Sequence, residues 1–295
     1  MPAATTGSTV PRRQLGRYLR DLRGQARLTV RAAARALEWS EPKLWRIETG
    51  QTSLRSLDAK AMCEIYGADA EMTEILMGLA KETKSRGWWH AYGDVVPDTF
   101  DLYIGLEEAA DRIDWYEPEL VPGLLQTEDY ARAVMRTHNP AATPEEIDKR
   151  VTLRKARQML LTRVVAAPTL RIAINEAVLR RPVGGNRLMA EQVARIGEAS
   201  ELPNVALRVV RFSAGMHMGA LTGQFTILRF PGNGEGKETE PPTVYADGFT
   251  GDLYLDKPAE VERYAGAFSD IWTASLDEQA SRRLISDVAG SYERG

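Results

Sequence analysis

Metal ligands of the soft kind are nearly absent: 295 residues carry one cysteine and three histidines. A lone Cys63 excludes an intramolecular disulfide and a thiolate cage, and its place on the apolar side of a helical pattern makes it an inert core thiol. His90, His138 and His217 stand at no metal-ligand spacing, so neither a metal nor another cofactor is expected. There is no G-x-S-x-G elbow and no nucleophile beside a base. Glu176, His217, Asp247 and Asp252 are the polar residues to weigh for catalysis, and they form no recognised constellation. No enzyme is expected. Long apolar runs are missing too: none approaches the roughly 18 residues that span a bilayer. The start, "MPAATTGSTVPRR", lacks the apolar stretch of a secretory signal, so a cytoplasmic protein without a membrane partner is expected.

What is present suits a globular chain of about two domains, at roughly 100 to 200 residues each, with 43% hydrophobic residues to bury. The net charge of −3 hides an asymmetry. Residues 1–60 hold 12 Lys and Arg against 5 Asp and Glu, a net of +7, while the remainder holds 26 against 36, a net of −10. A basic leading segment that meets a polyanion, joined to a body with another task, fits this split.

Within that basic segment, Leu15, Tyr18, Leu19 and Leu22 recur at helical spacing and predict a helix over 12–25. Thr29 can cap a second helix whose Ala32, Ala33, Ala36 and Leu37 form a narrow face for close packing. Glu38 and Trp39 make a turn. Ser40 then caps a third helix, with Pro42 in its first turn and Gly50 as its left-handed stop. With Leu44 and Ile47 facing inward, Glu41, Pro42, Lys43, Trp45, Arg46 and Thr49 face outward. Two short helices joined by a tight turn, the second offering its leading residues to the major groove, is the helix-turn-helix arrangement, and its partner is double-stranded DNA. Arg46 is the base-reading candidate, since a guanidinium can bond guanine bidentately; Glu41 can accept from a cytosine amino group, and Lys43 and Trp45 suit phosphate or sugar. Arg12, Arg13, Arg17 and Arg20 add phosphate contacts or stay as solvated surface. A DNA-binding protein of this kind is expected at the nucleoid.

The pattern S-x-x-x-[IL]-x-[RK]-[IL]-E-x-G, here "SEPKLWRIETG" followed by "TSLRSLDAKAMCEIYG", resembles the XRE or Cro/C1-type helix-turn-helix family. That resemblance implies that Arg23 and Glu48 form a partly buried structural pair tying the first helix to the third. Thr29 and Ser40, the caps of the second and third helices, are counted among the DNA-contact candidates. Where the family often has Gln at the second position of helix two, this chain has Val30; Arg31 is the substitute for the lost phosphate contact.

Helical periodicity continues to about residue 85. The expected organisation is a disordered tail over 1–11, a helix-turn-helix domain over 12–85, a connector over 86–103 anchored by Trp88 and Trp89, and an α+β or α/β body over 104–290. In the body, helices are expected at 101–114, 127–138, 144–163, 186–200, 258–275 and 277–289. Strands are expected at 169–174, 205–212, 221–230 and 243–248, with a flexible loop over 231–242. The fold class is thus an all-α domain followed by a small sheet flanked by helices.

The segments "WYEPELVPGLLQTEDYARAV", "RKARQMLL", "EAVLRRPVGG", "LRVVRFSAGMHMGALTGQFTIL" and "GDLYLDKPAEVERY" resemble a domain that follows such DNA-binding modules in actinobacterial regulators, among them WhiJ-like and antitoxin-like proteins. The resemblance implies a small partner protein encoded nearby. Trp115, Tyr116, Gln126, Arg180, Arg181 and His217 are the candidate partner or ligand contacts. Gln126 and Thr127 open a helix whose N-terminus either holds an anion or is simply capped by Thr127; the glycines at 184 and 185 make a tight turn or a phosphate cradle. The loop 213–223 is a pocket rim or a hairpin connection. The expected function is a homodimeric, sequence-specific transcription regulator whose body dimerises and senses a partner or ligand. The alternatives are an antitoxin-like protein that neutralises its partner and regulates its own gene, and a DNA-targeted hydrolase, for which the residues of a reaction are wanting.

Overall fold

The computed structural model describes residues 9–84, 87–95, 98–232, 240–249 and 251–294. Residues 1–8 of the expected tail and 233–239 of the expected loop lie outside the described residues, as does the side chain of His90. The chain divides into two compact units, one running to Ala91 and taking in Asp101–Ala109, the other comprising Tyr92–Phe100 and the residues from Ala110 onward. No helix among the described residues is long and apolar enough to cross a membrane.

The first unit contains α1 (Thr9–Gln25), α2 (Val30–Ala36), α3 (Glu41–Glu48), α4 (Ser56–Tyr66), α5 (Ala70–Glu82) and most of α6 (Asp98–Ala109). Helix α1 begins inside the stretch expected to be a disordered tail. Thr9 is buried, and a Cβ on Gly105 of α6 would fall 2.0 Å from its hydroxyl oxygen, so packing orders this end. The expected connector is likewise divided between the units, and buried Trp89 donates from Nε1 to Asp101 at 2.6 Å within the first of them.

Four successive helices end in the same way. Arg27, Glu38, Gly50 and Gly67 sit at φ 54°, 56°, 73° and 75°. The residue after each donates its amide to the carbonyl five positions back: Leu28 to Arg23, Trp39 to Ala34, Gln51 to Arg46 and Ala68 to Cys63. This left-handed stop satisfies carbonyls that a helix end would otherwise leave bare. The helices enclose a core of Leu15, Leu19, Ala33, Leu37, Leu44, Ile47, Met62, Cys63 and Leu76, on which Val30 also packs.

The second unit is a six-stranded mixed sheet, β1 (Arg112–Glu117), β2 (Thr169–Asn175), β3 (Val205–Val210), β4 (Phe225–Arg229), β5 (Thr243–Ala246) and β6 (Leu253–Leu255), in the order β3-β2-β1-β4-β5-β6. The first three strands are mutually parallel and the last three add antiparallel hairpin-wise. Between and after them run α7 (Glu128–His138), α8 (Pro144–Gln158), α9 (Glu176–Arg180), α10 (Asn186–Ala199), α11 (Gly219–Thr222), α12 (Pro258–Ala274) and α13 (Glu278–Glu293). Helix α12 covers one face through Phe268 and Ile271, which meet Tyr116, Ala173, Val210, Phe225, Ile227 and Val244 at alternate strand positions. Helix α7 packs on α8 through Ala131, Met135, Ile147 and Val151.

Two expectations are corrected. The helix expected over 101–114 stops at Ala109, and residues 112–114 instead start β1, the strand that joins the parallel and antiparallel halves. The strand expected at 221–230 begins only at Phe225, because Gly219–Thr222 forms a helical turn.

Candidate nucleic-acid interface

Helix α3 is fixed at both ends by its own sequence. The Ser40 hydroxyl accepts from the amide of Lys43 at 3.3 Å, Pro42 occupies the first turn, and Gly50 closes the far end. One side is locked inward by Leu44, Ile47 and Glu48, each at most 4% exposed. The other side is open: Glu41, Pro42, Trp45 and Arg46 are exposed, and Lys43 and Thr49 are half-buried. Lys43 rests its ammonium 3.5 Å from the ring centre of Trp39 in the preceding turn. The Thr49 hydroxyl donates to the Trp45 carbonyl at 2.8 Å, at the end of the helix away from its leading residues.

Helix α2 supports α3 from the side. Thr29 accepts from the amide of Ala32 at 3.1 Å and is exposed, as is Arg31 beside it in the first turn. Arg23 of α1 donates to both carboxylate oxygens of Glu48, at 2.7 and 2.8 Å, and to the Leu28 carbonyl at 2.8 Å. Tyr66 approaches the same carboxylate, and burial first, then the Glu48 charge, raises its hydroxyl above the ordinary tyrosine value.

Sequence reasoning missed a contact as tight as this pair. Helix α1 crosses the end of α3 at Gly16, where a Cβ would lie 2.6 Å from the Ile47 carbonyl oxygen and 2.8 Å from that of Glu48. The signal was a glycine among helix-period residues. The arginines of α1 also part company. Arg12 donates to the Thr83 carbonyl at 3.2 Å and its pKa is lowered, chiefly by burial, while Arg13 is 7% exposed beside Gly50. Both belong to the module's packing, whereas Arg20 is exposed and Arg17 half-buried.

The six candidate contacts of the body are not gathered into one site. Trp115 and Tyr116 are both buried but, as neighbours on β1, face opposite sides of the sheet. Tyr116 meets His217 edge to face at 6.2 Å, and burial raises its pKa to about 12. Gln126 is 5% exposed, donates to the Val121 carbonyl and accepts from Arg154, so it is committed to the fold. The Thr127 amide donates to Gln192 at 2.7 Å and its hydroxyl accepts from the amide of Tyr130. This helix start is filled by the protein itself. Arg181 pairs with Glu119. Arg180 pairs with Glu176 at 2.7 Å; burial would raise that carboxyl, but Arg180, the Phe212 amide and Arg211 together hold it below its ordinary value. Among the described residues no group of three or more His, Cys, Asp and Glu is placed to hold a metal ion.

A carboxyl not singled out in the sequence is the most perturbed. Glu117, at the end of β1, accepts from Trp115 Nε1 at 3.2 Å, while its other oxygen is buried without a hydrogen-bond partner even though part of the side chain reaches the surface. Burial pushes its pKa to about 8, with the Asp247 charge adding to the rise against the Trp115 bond.

Residues 100–287 match the family model of a domain of unknown function (DUF5753), and residues 14–76 match that of a helix-turn-helix domain. No curated protein and no solved structure matches the chain.

Proposed function

Since the chain belongs to the DUF5753 family and carries a helix-turn-helix domain ahead of that region, we propose that it is a sequence-specific transcription regulator that binds duplex DNA as a homodimer. The observation that carries the reading is the division of α3 into a face locked by Leu44, Ile47 and Glu48 and a face that presents Glu41, Pro42, Trp45 and Arg46. Arg46 reads guanine, Glu41 reads cytosine, and Lys43, Trp45, Thr29, Arg31, Ser40 and Thr49 line the approach to phosphate and sugar. Two copies on half-sites about one helical turn apart, roughly 34 Å, give the site length and affinity that one short helix lacks. The body joins the copies and receives a partner or ligand that alters the spacing of the two reading helices. A differential affinity of about 1.4 kcal/mol between competent and incompetent states changes operator occupancy about tenfold.

Fluorescence anisotropy with selected genomic duplexes tests this. Arg46→Ala should weaken the preferred sequence by about 1 to 3 kcal/mol, roughly five- to 150-fold, and relax preference at one base position. Equal weak binding to all sequences, unchanged by Arg46→Ala, would remove the reading.

A further inference from the structure

The register of the sheet places four arginines and one buried carboxylate on the face that α12 covers. Asp114 of β1 is 2% exposed, and Arg171 of β2 is its direct cross-strand partner. Arg112, two residues from Asp114, stands directly opposite Arg229 of β4. The Nε atoms of Arg112, Arg171 and Arg229 lie 3.3, 3.3 and 3.7 Å from the oxygens of this one carboxylate. Arg208 of β3 completes the group: it and Arg171 lie 4.5 and 4.9 Å from the ring centre of Trp272, and its counter-charge is Glu278 at 3.8 Å.

Charge does not balance here. Four guanidiniums face two carboxylates, one of them a distant and 40% exposed Glu278. Like charges directly opposite on neighbouring strands, as Arg112 and Arg229 are, destabilise a sheet. The buried Nε donors of Arg171, Arg208 and Arg229 find no hydrogen-bond partner: those of Arg171 and Arg229 lie near Asp114 without being aligned, and Arg208 reaches Glu278 and the Trp272 carbonyl through its terminal nitrogens instead. Burial, opposed by Asp114 but reinforced by Arg112, Arg208 and Arg229, holds the Arg171 pKa below its ordinary value. The four side chains are nonetheless 26% to 41% exposed, so their ends reach solvent. With Asp114 and Glu278 offsetting two of the four charges, the group keeps a net charge of +2, and positive charges gathered on one patch of sheet suit a compact anion, whereas a duplex backbone is tracked by charges strung along its length.

We propose that this arginine cluster binds a compact multivalent oxyanion of the phosphate or pyrophosphate class, free or carried on a small ester. The site stands whether or not its occupancy alters DNA binding. The test is titration of the full chain with sodium pyrophosphate at constant ionic strength set with sodium chloride, followed by calorimetry and thermal unfolding. A saturable response is expected, and Arg112→Gln, at the most exposed of the four positions, should weaken it at least tenfold; because Arg112 also donates to both oxygens of Asp114, the variant is compared with the parent by the increment that pyrophosphate adds to its own anion-free midpoint. Arg229→Gln provides the second variant, with circular dichroism reporting that each is folded. A response no larger than that to chloride alone, or one that neither variant changes, would overturn the proposal. So would a cluster that answers only to duplex DNA, seen as a shallower salt dependence of DNA binding in Arg112→Gln with no pyrophosphate response.

Discussion

The guanidinium of Arg23 grips both oxygens of Glu48 and also holds the Leu28 carbonyl, so one side chain joins the end of α1, the loop before α2 and the end of α3. Arg23→Ala would leave Glu48, 4% exposed, as an unpaired buried charge, at a cost of about 3 to 5 kcal/mol in urea unfolding. Arg23→Lys restores the charge but not the two-pronged geometry and should recover only part of the loss. A loss below about 1 kcal/mol would show that the pair is not an anchor.

Glu38 occupies a left-handed position, φ 56°, for which glycine carries no steric penalty. Glu38→Gly should raise stability by about 1 kcal/mol and the thermal midpoint by a few degrees, with DNA affinity unchanged. Gly50→Ala should do the opposite and by more, because its Cβ would also lie 2.7 Å from the Cα of Arg13.

At Gly16 the obstacle to a side chain is backbone, which cannot swing aside. Gly16→Ala should therefore displace α3, cost about 1 to 3 kcal/mol and lower DNA affinity together with stability. Gly24, in the same helix with nothing within 4 Å of where a methyl would sit, is the control: Gly24→Ala should stabilise by up to about 1 kcal/mol and leave binding intact.

Glu117 supplies a pH dependence with a definite sign. Its folded pKa of about 8 lies above the roughly 4.3 of an unfolded glutamate, so the folded state keeps a proton that the unfolded chain releases. Its contribution to stability should decline as pH rises from about 4.3 towards about 8. Denaturation at pH 5 and pH 8 should show this decline in the parent and a flatter profile in Glu117→Gln. Parallel profiles would mean that Glu117 folds in its ionised form.

Helix α3 was legible because Ser40, Pro42 and Gly50 each act on their own few neighbours, so local sequence suffices. Strand β1 was not. Its Arg112 and Asp114 break the apolar pattern, and only the opposing Arg171 and Arg229, brought in from distant strands, explain a carboxylate there. Arg12 and Arg13 misled for a related reason: a charge density counted along the chain does not reveal that one arginine caps a distant carbonyl and the next is buried. Residue type alone does not show where the body's six candidate contacts point, and strand alternation sends Trp115 and Tyr116 to opposite faces.

The division of labour along α3 has a practical side. Leu44, Ile47 and Glu48 hold the helix in place without touching its outer surface, where Glu41, Pro42, Trp45 and Arg46 make few commitments to the rest of the fold. On the proposed function, exchanges at those four positions recode which operator is addressed while the scaffold stays the same, which makes this module a tractable starting point for building orthogonal DNA-binding proteins.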